Sequence, residues 1–180
     1  MSSLAEAIAH HQQHDHEAAQ AAYGALLQAE PNNTEILHLL AISHGQIGDT
    51  DNAERYIRQA ITLEPDSAEL CTSYANICKY QQRNEDALSW YNRALTLSPE
   101  HAVAHYNVAL LHMHTNTTTA IEHLHNALAA RPNYLEAYHV LLQIYLSTQQ
   151  FSAANQVITQ AQTATNNHPS IRKYEAQVAQ

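Results

Sequence analysis

The stretch AERYIRQAITLEP, residues Ala53 to Pro65, decides the fold because its pattern returns along the chain. Its frame is Ala, six residues, Ala, four residues and Pro. The frame recurs, in close or looser copies, from Ala19, Ala87, Ala120 and Ala154. The first copy has Leu26 in place of the second Ala, and the last copy lacks the closing Pro. The copies start 34, 34, 33 and 34 residues apart, so the chain is built from a repeated unit.

Each unit is predicted to be two helices joined by a tight turn. In the quoted stretch, apolar residues recur at i, i+3, i+4 and i+7, which is one face of a helix. A second helix-length segment precedes each copy, such as TEILHLLAISHGQIG from Thr34 to Gly48. The closing Pro cannot donate a hydrogen bond inside a helix, so it marks the boundary between units. One helix pair cannot bury its apolar faces alone, whereas stacked pairs can.

Small residues recur where the paired helices are expected to come closest. On the first helices this slot holds Ala7, Ala41, Ala75 and Ala109. A 34-residue period with small residues, Ala and Pro in these slots resembles the tetratricopeptide repeat. The resemblance implies an all-α fold, a right-handed α-α superhelix of antiparallel helix pairs. It also implies one domain over 1–180, with repeats at about 1–33, 34–67, 68–101, 102–134 and 135–168 and a capping helix over 169–180.

Composition argues against several classes of function. The 180 residues include 8 Lys and Arg and 17 Asp and Glu, a formal charge of −9, whereas nucleic acid binding calls for clustered cations. No apolar run approaches the roughly 20 residues of a membrane span, and the N-terminus lacks the pattern of a secretory signal. Cys71 and Cys78 fall on one predicted helix, too far apart for a disulfide, and are expected to be reduced core residues. We therefore expect a cytoplasmic protein that binds no nucleic acid and does not enter the membrane.

The sequence contains no motif of a catalytic or cofactor site. It has no Gly-rich phosphate loop, Cys-x-x-Cys, His-Glu-x-x-His or G-x-S-x-G, and we expect neither catalysis nor a cofactor. The 14 histidines raise the alternative of a His-rich metal-binding protein, because HHQQHDHE runs from His10 to Glu17. A turn is expected at residues 13–16 and would separate His10 from His14, so no metal site is assigned.

The superhelix that the resemblance implies has a concave groove lined by the first helices. Side chains expected there mix amides, hydroxyls, aromatic rings and carboxylates, which suits an extended peptide. The candidate binding residues are Glu35, His38 and Ile42 in the second repeat, Glu69, Thr72, Asn76, Lys79 and Tyr80 in the third, Tyr106, Asn107, Leu110 and His114 in the fourth, and His139 and Gln143 in the fifth. The carboxylates favour a ligand with a positive or neutral stretch.

Two asparagines match slots in which peptide-binding members of the family often place that residue, namely Asn76 and Asn107. The alternative for both is a solvated polar surface or a hydrogen bond between helices. Members that bind chaperone tails also clamp a terminal carboxylate with Lys and Arg. The corresponding places here hold Thr72, Glu136 and Val140, so we expect no binding of that kind.

The resemblance implies a protein–protein interaction scaffold that binds a peptide or a partner protein in the groove. An alternative is the recognition arm of a larger bacterial enzyme of the glycosyltransferase, sulfotransferase or methyltransferase type, because residues 7–42 resemble the opening of such repeat proteins. The N-terminal repeat shows no capping device, so a homodimer through that repeat is a further expectation.

Overall fold

The structure, a computed structural model, describes residues 3–178. These residues form eleven α-helices and no strand, which confirms the predicted all-α fold. The helices are α1 (Leu4–Gln12), α2 (His16–Ala29), α3 (Thr34–Gln46), α4 (Thr50–Leu63), α5 (Ala68–Tyr80), α6 (Asn84–Leu97), α7 (Ala102–His112), α8 (Thr117–Ala130), α9 (Leu135–Ser147), α10 (Phe151–Ala164) and α11 (Pro169–Val178). Outside the described residues lie the start of the predicted first repeat, 1–2, and the end of the predicted capping helix, 179–180.

The helices form two compact units. Unit 1 spans residues 1–97 and contains the pairs α1–α2, α3–α4 and α5–α6; unit 2 spans 98–180 and contains α7–α8, α9–α10 and α11. In unit 1, α2 packs on α3 and α4 on α5; in unit 2, α8 packs on α9. Each helix pair falls within one predicted repeat range. The assignment of all five repeats to a single domain stays a prediction.

Short turns join the two helices of a pair, and most contain one left-handed residue. The turns after α1, α3, α5 and α9 have positive φ at His14, Gly48, Gln82 and Gln149. The repeat that is one residue shorter differs, because α7 has 11 residues where α3 and α5 have 13. Its connection to α8 contains no positive φ among residues 113–116. The break in the sequence period is therefore absorbed at the end of α7.

Alanines allow the two helices of a pair to approach closely. Ala53 on α4 has no exposed surface, and its Cβ lies 3.9 Å from the position that a Cβ on Gly45 of α3 would occupy. The recurring alanines on the other helices are equally buried, namely Ala7, Ala19, Ala41, Ala75, Ala87, Ala109, Ala120 and Ala154. In α9 the bulkier Leu142 fills this slot and is also fully buried. Cys71 and Cys78 are buried free thiols, as the sequence predicted.

A side chain of the next repeat holds the carbonyl of each proline that closes a repeat. Four hydrogen bonds of this kind are present, each from a side-chain donor to a proline carbonyl oxygen: Gln59 Nε2 to Pro31 O (3.3 Å), Arg93 Nη2 to Pro65 O (2.8 Å), His105 Nε2 to Pro99 O (2.9 Å) and Tyr138 O–H to Pro132 O (3.0 Å). Carbonyls just beyond a helix C-terminus have no partner within the helix. The proline therefore ends one repeat and also provides an attachment point for the next.

In unit 2, α11 takes the position of another first helix. His139 of α9 bonds to two of its hydroxyls, Tyr174 at 2.9 Å and Ser170 at 2.8 Å. His139 and Tyr174 are 35 residues apart, as are His38 and Ser73, which join α3 to α5. The stack of unit 2 therefore continues by one helix.

The outer face of α11 is polar. Ile171 and Tyr174 are buried against α9 and α10. Arg172 and Glu175 are exposed, although they lie 34 residues after the fully buried Tyr138 and Leu141. Terminal helices of a repeat stack need such a solvated face.

A partly exposed ionic network joins the second and third repeats. Glu54 of α4 accepts from the Tyr74 hydroxyl of α5 at 2.7 Å and from Arg58 at 2.9 Å, and it pairs with Arg83 at 3.0 Å. Burial alone would raise the pKa of Glu54. The hydrogen bonds from Tyr74, Arg58 and Gln81, together with the charge of Arg83, outweigh burial and bring the pKa below its ordinary value. Glu54 is therefore ionised and shared by three elements.

Replacing Ala53 with Leu tests the close approach of paired helices. We expect Ala53→Leu to destabilise the fold by about 1–3 kcal/mol, because overpacking forces α3 and α4 apart. The measurement is urea unfolding followed by circular dichroism. Ala25→Leu on the exposed side of α2 is the control and should leave the midpoint nearly unchanged. Equal midpoints for both variants would contradict the packing argument.

Replacing Glu54 with Gln tests the ionic network. We expect Glu54→Gln to cost about 1–3 kcal/mol at pH 7, because Arg83 and the Tyr74 hydroxyl lose a charged acceptor. Because the pKa of Glu54 is lowered in the folded chain, its contribution to stability is fully present above the ordinary carboxyl pKa and is lost as the pH falls below it. The difference from wild type should therefore narrow below about pH 4. Glu85→Gln, an exposed carboxylate of α6, is the control; a pH-independent difference would refute the assignment.

Candidate functional site

An apolar cavity of about 230 Å³ opens between the C-terminal halves of α3 and α5. Its walls are Ala41, Ile42, Gly45, Gln46, Thr50, Ser73, Asn76, Ile77 and Tyr80. Three of these, Ile42, Asn76 and Tyr80, were predicted as binding residues. Ile77 and Thr50 were not, because Ile77 lies beside the buried stripe of α5 and Thr50 begins the second helix of the pair.

Tyr80 forms an exposed aromatic wall of this cavity. Its relative exposure is 67%, the highest among the large apolar residues of the described chain. The turn after α3 makes room for it: Gly48 has φ 81°, and a Cβ there would lie 3.4 Å from the Tyr80 hydroxyl. Exposed aromatic rings beside a cavity are typical anchors of protein interfaces.

A second, polar cavity of about 320 Å³ adjoins the first toward the N-termini of α3 and α5. It is lined by Thr34, Glu35, His38, Leu39, Ile42, Glu64, Ser67, Glu69 and Leu70. Three exposed carboxylates surround it, and Ile42 belongs to both cavities. We call the surface formed by the two cavities the α3–α5 face. It is a continuous strip with an acidic end and an apolar end.

His38 does not neutralise the acidic end at neutral pH. It is half-buried, and its Nε2 is hydrogen-bonded to Ser73 Oγ at 2.7 Å. Burial lowers the pKa of His38, and the charge of Glu69 opposes this only in part. The imidazole is therefore uncharged at pH 7, and the carboxylates of Glu35 and Glu69 keep their negative potential.

The amides of the α3–α5 face are anchored by neighbouring helices. Asn76 accepts a hydrogen bond from the Tyr91 hydroxyl of α6 at 2.5 Å, and burial raises the pKa of that hydroxyl. Gln46 accepts from His11 of α1, whose Nε2 lies 2.9 Å from Oε1. The hydrogen bond between helices that was the alternative for Asn76 is therefore present. It fixes the amide at the edge of the apolar cavity.

Two predicted binding residues offer almost no surface. Thr72 is 4% exposed and donates to Ala68 O at 2.8 Å, and Asn107 is 6% exposed and donates to Val103 O at 2.9 Å. Each side chain therefore bonds to the carbonyl four residues earlier in its own helix. Lys79 is half-buried, burial lowers its pKa, and it lines neither cavity.

The predicted residues of unit 2 are not brought together around one cavity. Tyr106 and Leu110 are half-buried, and the Tyr106 ring lies 5.0 Å from that of Tyr134. His114 and Gln143 are exposed. His139 is engaged by α11. A cavity of about 410 Å³ in this unit is lined by other residues, namely Pro99, Glu100, His105, Asn126, Ala129 and Ala130.

The His-rich run adopts the expected turn. α1 ends at Gln12 and α2 begins at His16. His10 pairs with Asp15 at 3.6 Å, and His11 Nδ1 is hydrogen-bonded to the Tyr23 hydroxyl at 3.2 Å. Within residues 3–178, no three His, Cys, Asp or Glu side chains are grouped so as to hold a metal ion. In the same residues no helix has the length and apolar character to cross a bilayer.

Stacked antiparallel helix pairs with a cavity-bearing first-helix face define a helical repeat protein of the binding class. Three family models match the chain, two described as tetratricopeptide repeat over residues 4–68 and 111–178 and one as TPR repeat over 75–115. The chain belongs to the tetratricopeptide repeat family, as its period predicted. Members of this family generally serve as protein-interaction scaffolds without catalysis of their own.

Solved structures share this fold at low sequence identity. The Pseudomonas aeruginosa protein pilF is 17% identical with a TM-score of 0.82, over 98% of this chain and 81% of its own. TTC0263, a TPR protein of Thermus thermophilus, is 19% identical with a TM-score of 0.76, over 98% and 97%. A Thermobaculum terrenum O-GlcNAc transferase mutant is 24% identical with a TM-score of 0.65, over 71% of this chain and 25% of its own. Among curated protein sequences, none is significantly similar to this chain.

Lowering the pH should weaken the packing of α11. Burial and the positive charges of Lys173 and His168 lower the pKa of His139. The negative charge of Glu136 raises it, but by less, so the net shift is downward. As the pH falls, His139 is therefore protonated near pH 6.5 in the unfolded chain and only at a lower pH in the folded chain. The contribution of His139 is full above about pH 6.5 and declines as the pH falls toward its folded pKa. Burial also lowers the pKa of His38, His123 and His125.

We expect the urea midpoint of the wild type to fall between pH 7.5 and pH 5.5. His139→Gln should lower the midpoint at pH 7.5 and reduce the further loss at pH 5.5, because one of the linked groups is gone. His114→Gln, which changes an exposed histidine of unit 2, is the control and should follow the wild type. An identical pH dependence in all three proteins would show that His139 is not linked to stability.

Proposed function

We propose that this chain is an interaction module that binds an extended peptide segment of a partner protein along the α3–α5 face. The observation that carries the proposal is the apolar cavity between Ile42, Ile77 and the exposed ring of Tyr80. A cavity of this size accepts one apolar side chain, and the neighbouring polar cavity accepts a second side chain. Alternate residues of an extended peptide lie on the same side, so one segment can fill both.

The amides of Asn76 and Gln46 are assigned to the backbone of the bound segment. An amide side chain has two donors and one acceptor oxygen. Tyr91 and His11 donate to the two oxygens, and we assign the NH₂ groups to peptide carbonyls. Groups held in place by other helices lose little freedom on binding, which favours affinity.

Several predicted residues have a lesser part in this proposal. Thr72 and Asn107 are left out of the contact set because they are buried. Contacts of the partner with unit 2, through Tyr106, Leu110, His114, His139 and Gln143, stay predictions, as do the homodimer through the N-terminal repeat and the cytoplasmic location. On α1, Ala5, Glu6 and Ala9 are exposed, and the apolar Leu4 and Ile8 are half-buried.

The alternatives from the sequence remain open to test. A recognition arm requires a catalytic domain in the same reading frame, which sequencing of the gene on both sides would reveal. The similarity to one quarter of an O-GlcNAc transferase concerns the fold alone at 24% identity. Metal binding by the His-rich run is tested by calorimetry with zinc or nickel on tag-free protein, where binding weaker than about 10 μM would discard a specific site.

Loss of the Tyr80 ring should abolish most of the binding. Random 12-residue peptides displayed on phage are selected on the immobilised protein, and the affinities of the enriched peptides are measured by fluorescence anisotropy. We expect Tyr80→Ala to weaken them by about tenfold or more, because truncation of an aromatic anchor is usually the costliest interface change. Phe151→Ala removes another exposed ring, from α10 in unit 2, and is the control.

Two results would contradict the proposed function. One is a selection from which no peptide is enriched over the uncoated surface. The other is a set of enriched peptides that bind wild type and Tyr80→Ala equally well. Circular dichroism of both variants checks that the helices are intact, which is expected because Tyr80 is largely exposed.

A further inference from the structure

We infer that the segment bound by the α3–α5 face carries a Lys or Arg two positions from an apolar residue. The cation lies against Glu35 and Glu69, and the apolar side chain fills the cavity of Ile42, Ile77 and Tyr80. This inference rests on the proposed function and adds the chemistry of the partner to it. Its basis is the distribution of charge, the position of the arginines and the spacing of the two cavities.

The negative charge of the chain is concentrated in unit 1. This unit contains 13 Asp and Glu residues and 5 Lys and Arg residues, which gives a formal charge of −8. Unit 2 contains 4 Asp and Glu residues and 3 Lys and Arg residues, which gives a formal charge of −1. Clefts lined by one sign of charge raise the local concentration of ligands of the opposite sign. A cationic segment is therefore drawn to the unit that bears the α3–α5 face, and an anionic one is repelled.

The arginines of unit 1 are engaged away from this face. Arg58 and Arg83 pair with Glu54, and Arg83 also pairs with Asp86. The guanidinium carbons of Arg55 and Arg93 lie 4.1 Å and 5.2 Å from the ring centres of Tyr56 and Trp90. None of the four lines the polar cavity. Its negative potential is thus available to a cation supplied by a partner.

The polar cavity suits a long cationic side chain. Glu35 and Glu69 are exposed carboxylates, one on each wall, and Glu64 at the end of α4 accepts a hydrogen bond from Thr34. The half-buried Leu39 and Ile42 and the buried Leu70 also line the cavity. Lys and Arg combine an apolar stem with a charged end, so the stem lies on these residues while the end reaches the carboxylates.

The spacing of the cavities sets the spacing in the ligand. Along α3 the polar cavity is lined by residues 34–42 and the apolar cavity by residues 41–46. Their centres are therefore about six residues, or roughly 9 Å, apart along the helix axis. Side chains at i and i+2 of an extended chain are roughly 7 Å apart on one side, and the reach of Lys or Arg supplies the remainder. Adjacent residues would point to opposite sides.

The test repeats the phage selection with two variants of equal charge. Glu35→Gln with Glu69→Gln removes two carboxylates from the polar cavity. Glu17→Gln with Glu85→Gln removes two exposed carboxylates from α2 and α6 of the same unit and is the matched control. Individual peptides that the wild type enriches are then titrated against all proteins at 50 mM and 500 mM NaCl.

We expect wild type and control to enrich peptides with Lys or Arg two positions from an apolar residue. The cavity variant should lose the preference for Lys and Arg and bind such a peptide about fivefold more weakly at 50 mM salt. The difference should shrink at 500 mM salt, because exposed charges are screened.

The possible failures of the two proposals are distinguishable. Peptides that depend on Tyr80 but show no preference for Lys or Arg, or that bind the cavity variant and the control equally, would overturn this inference and leave the proposed function standing. Peptides that bind independently of Tyr80 would overturn both. Enrichment of acidic peptides that depend on Tyr80 would refute the charge argument directly.

Discussion

The structure depends on how closely two helices of a pair approach at their alanine positions. The first and second helices of repeats one to four meet at fully or nearly fully buried alanines, and Ala53 lies 3.9 Å from where a Cβ on Gly45 would be. Small residues at this contact let the paired helices pack directly against each other, and one such pair buries its remaining apolar side chains by stacking on the next. The α3–α5 face is formed by the first helices of two successive pairs, so it depends on this stacking.

Contacts between repeats add polar specificity to this packing. The carbonyls of the four boundary prolines accept hydrogen bonds from the repeats that follow, and Glu54 joins α4 to α5 through Tyr74 and Arg83. Polar groups in such positions disfavour other registers, because a shifted repeat would leave them unpaired. The register in turn places Ile42 of one repeat beside Ile77 and Tyr80 of the next.

The helices and their boundaries could be predicted from the sequence, because the period repeats every helix start, alanine and proline. The candidate site could be predicted only in part. Helical phase placed Ile42, Asn76 and Tyr80 on one surface, but burial depends on neighbouring helices, so Thr72 and Asn107 proved to be covered. Ile77 and Glu64 were missed because they line cavities that form between successive repeats, and phase within one helix does not report such cavities.

The polar face of α11 also bears on self-assembly. A repeat stack that ended on an apolar helix face could accept a second copy end to end, and repeated addition would give an open filament. At this end of unit 2, such growth would have to strip water from the guanidinium of Arg172 and the carboxylate of Glu175, a cost that burial of α11 alone does not recover. These two exposed charges therefore disfavour the docking of a second copy on this face of α11.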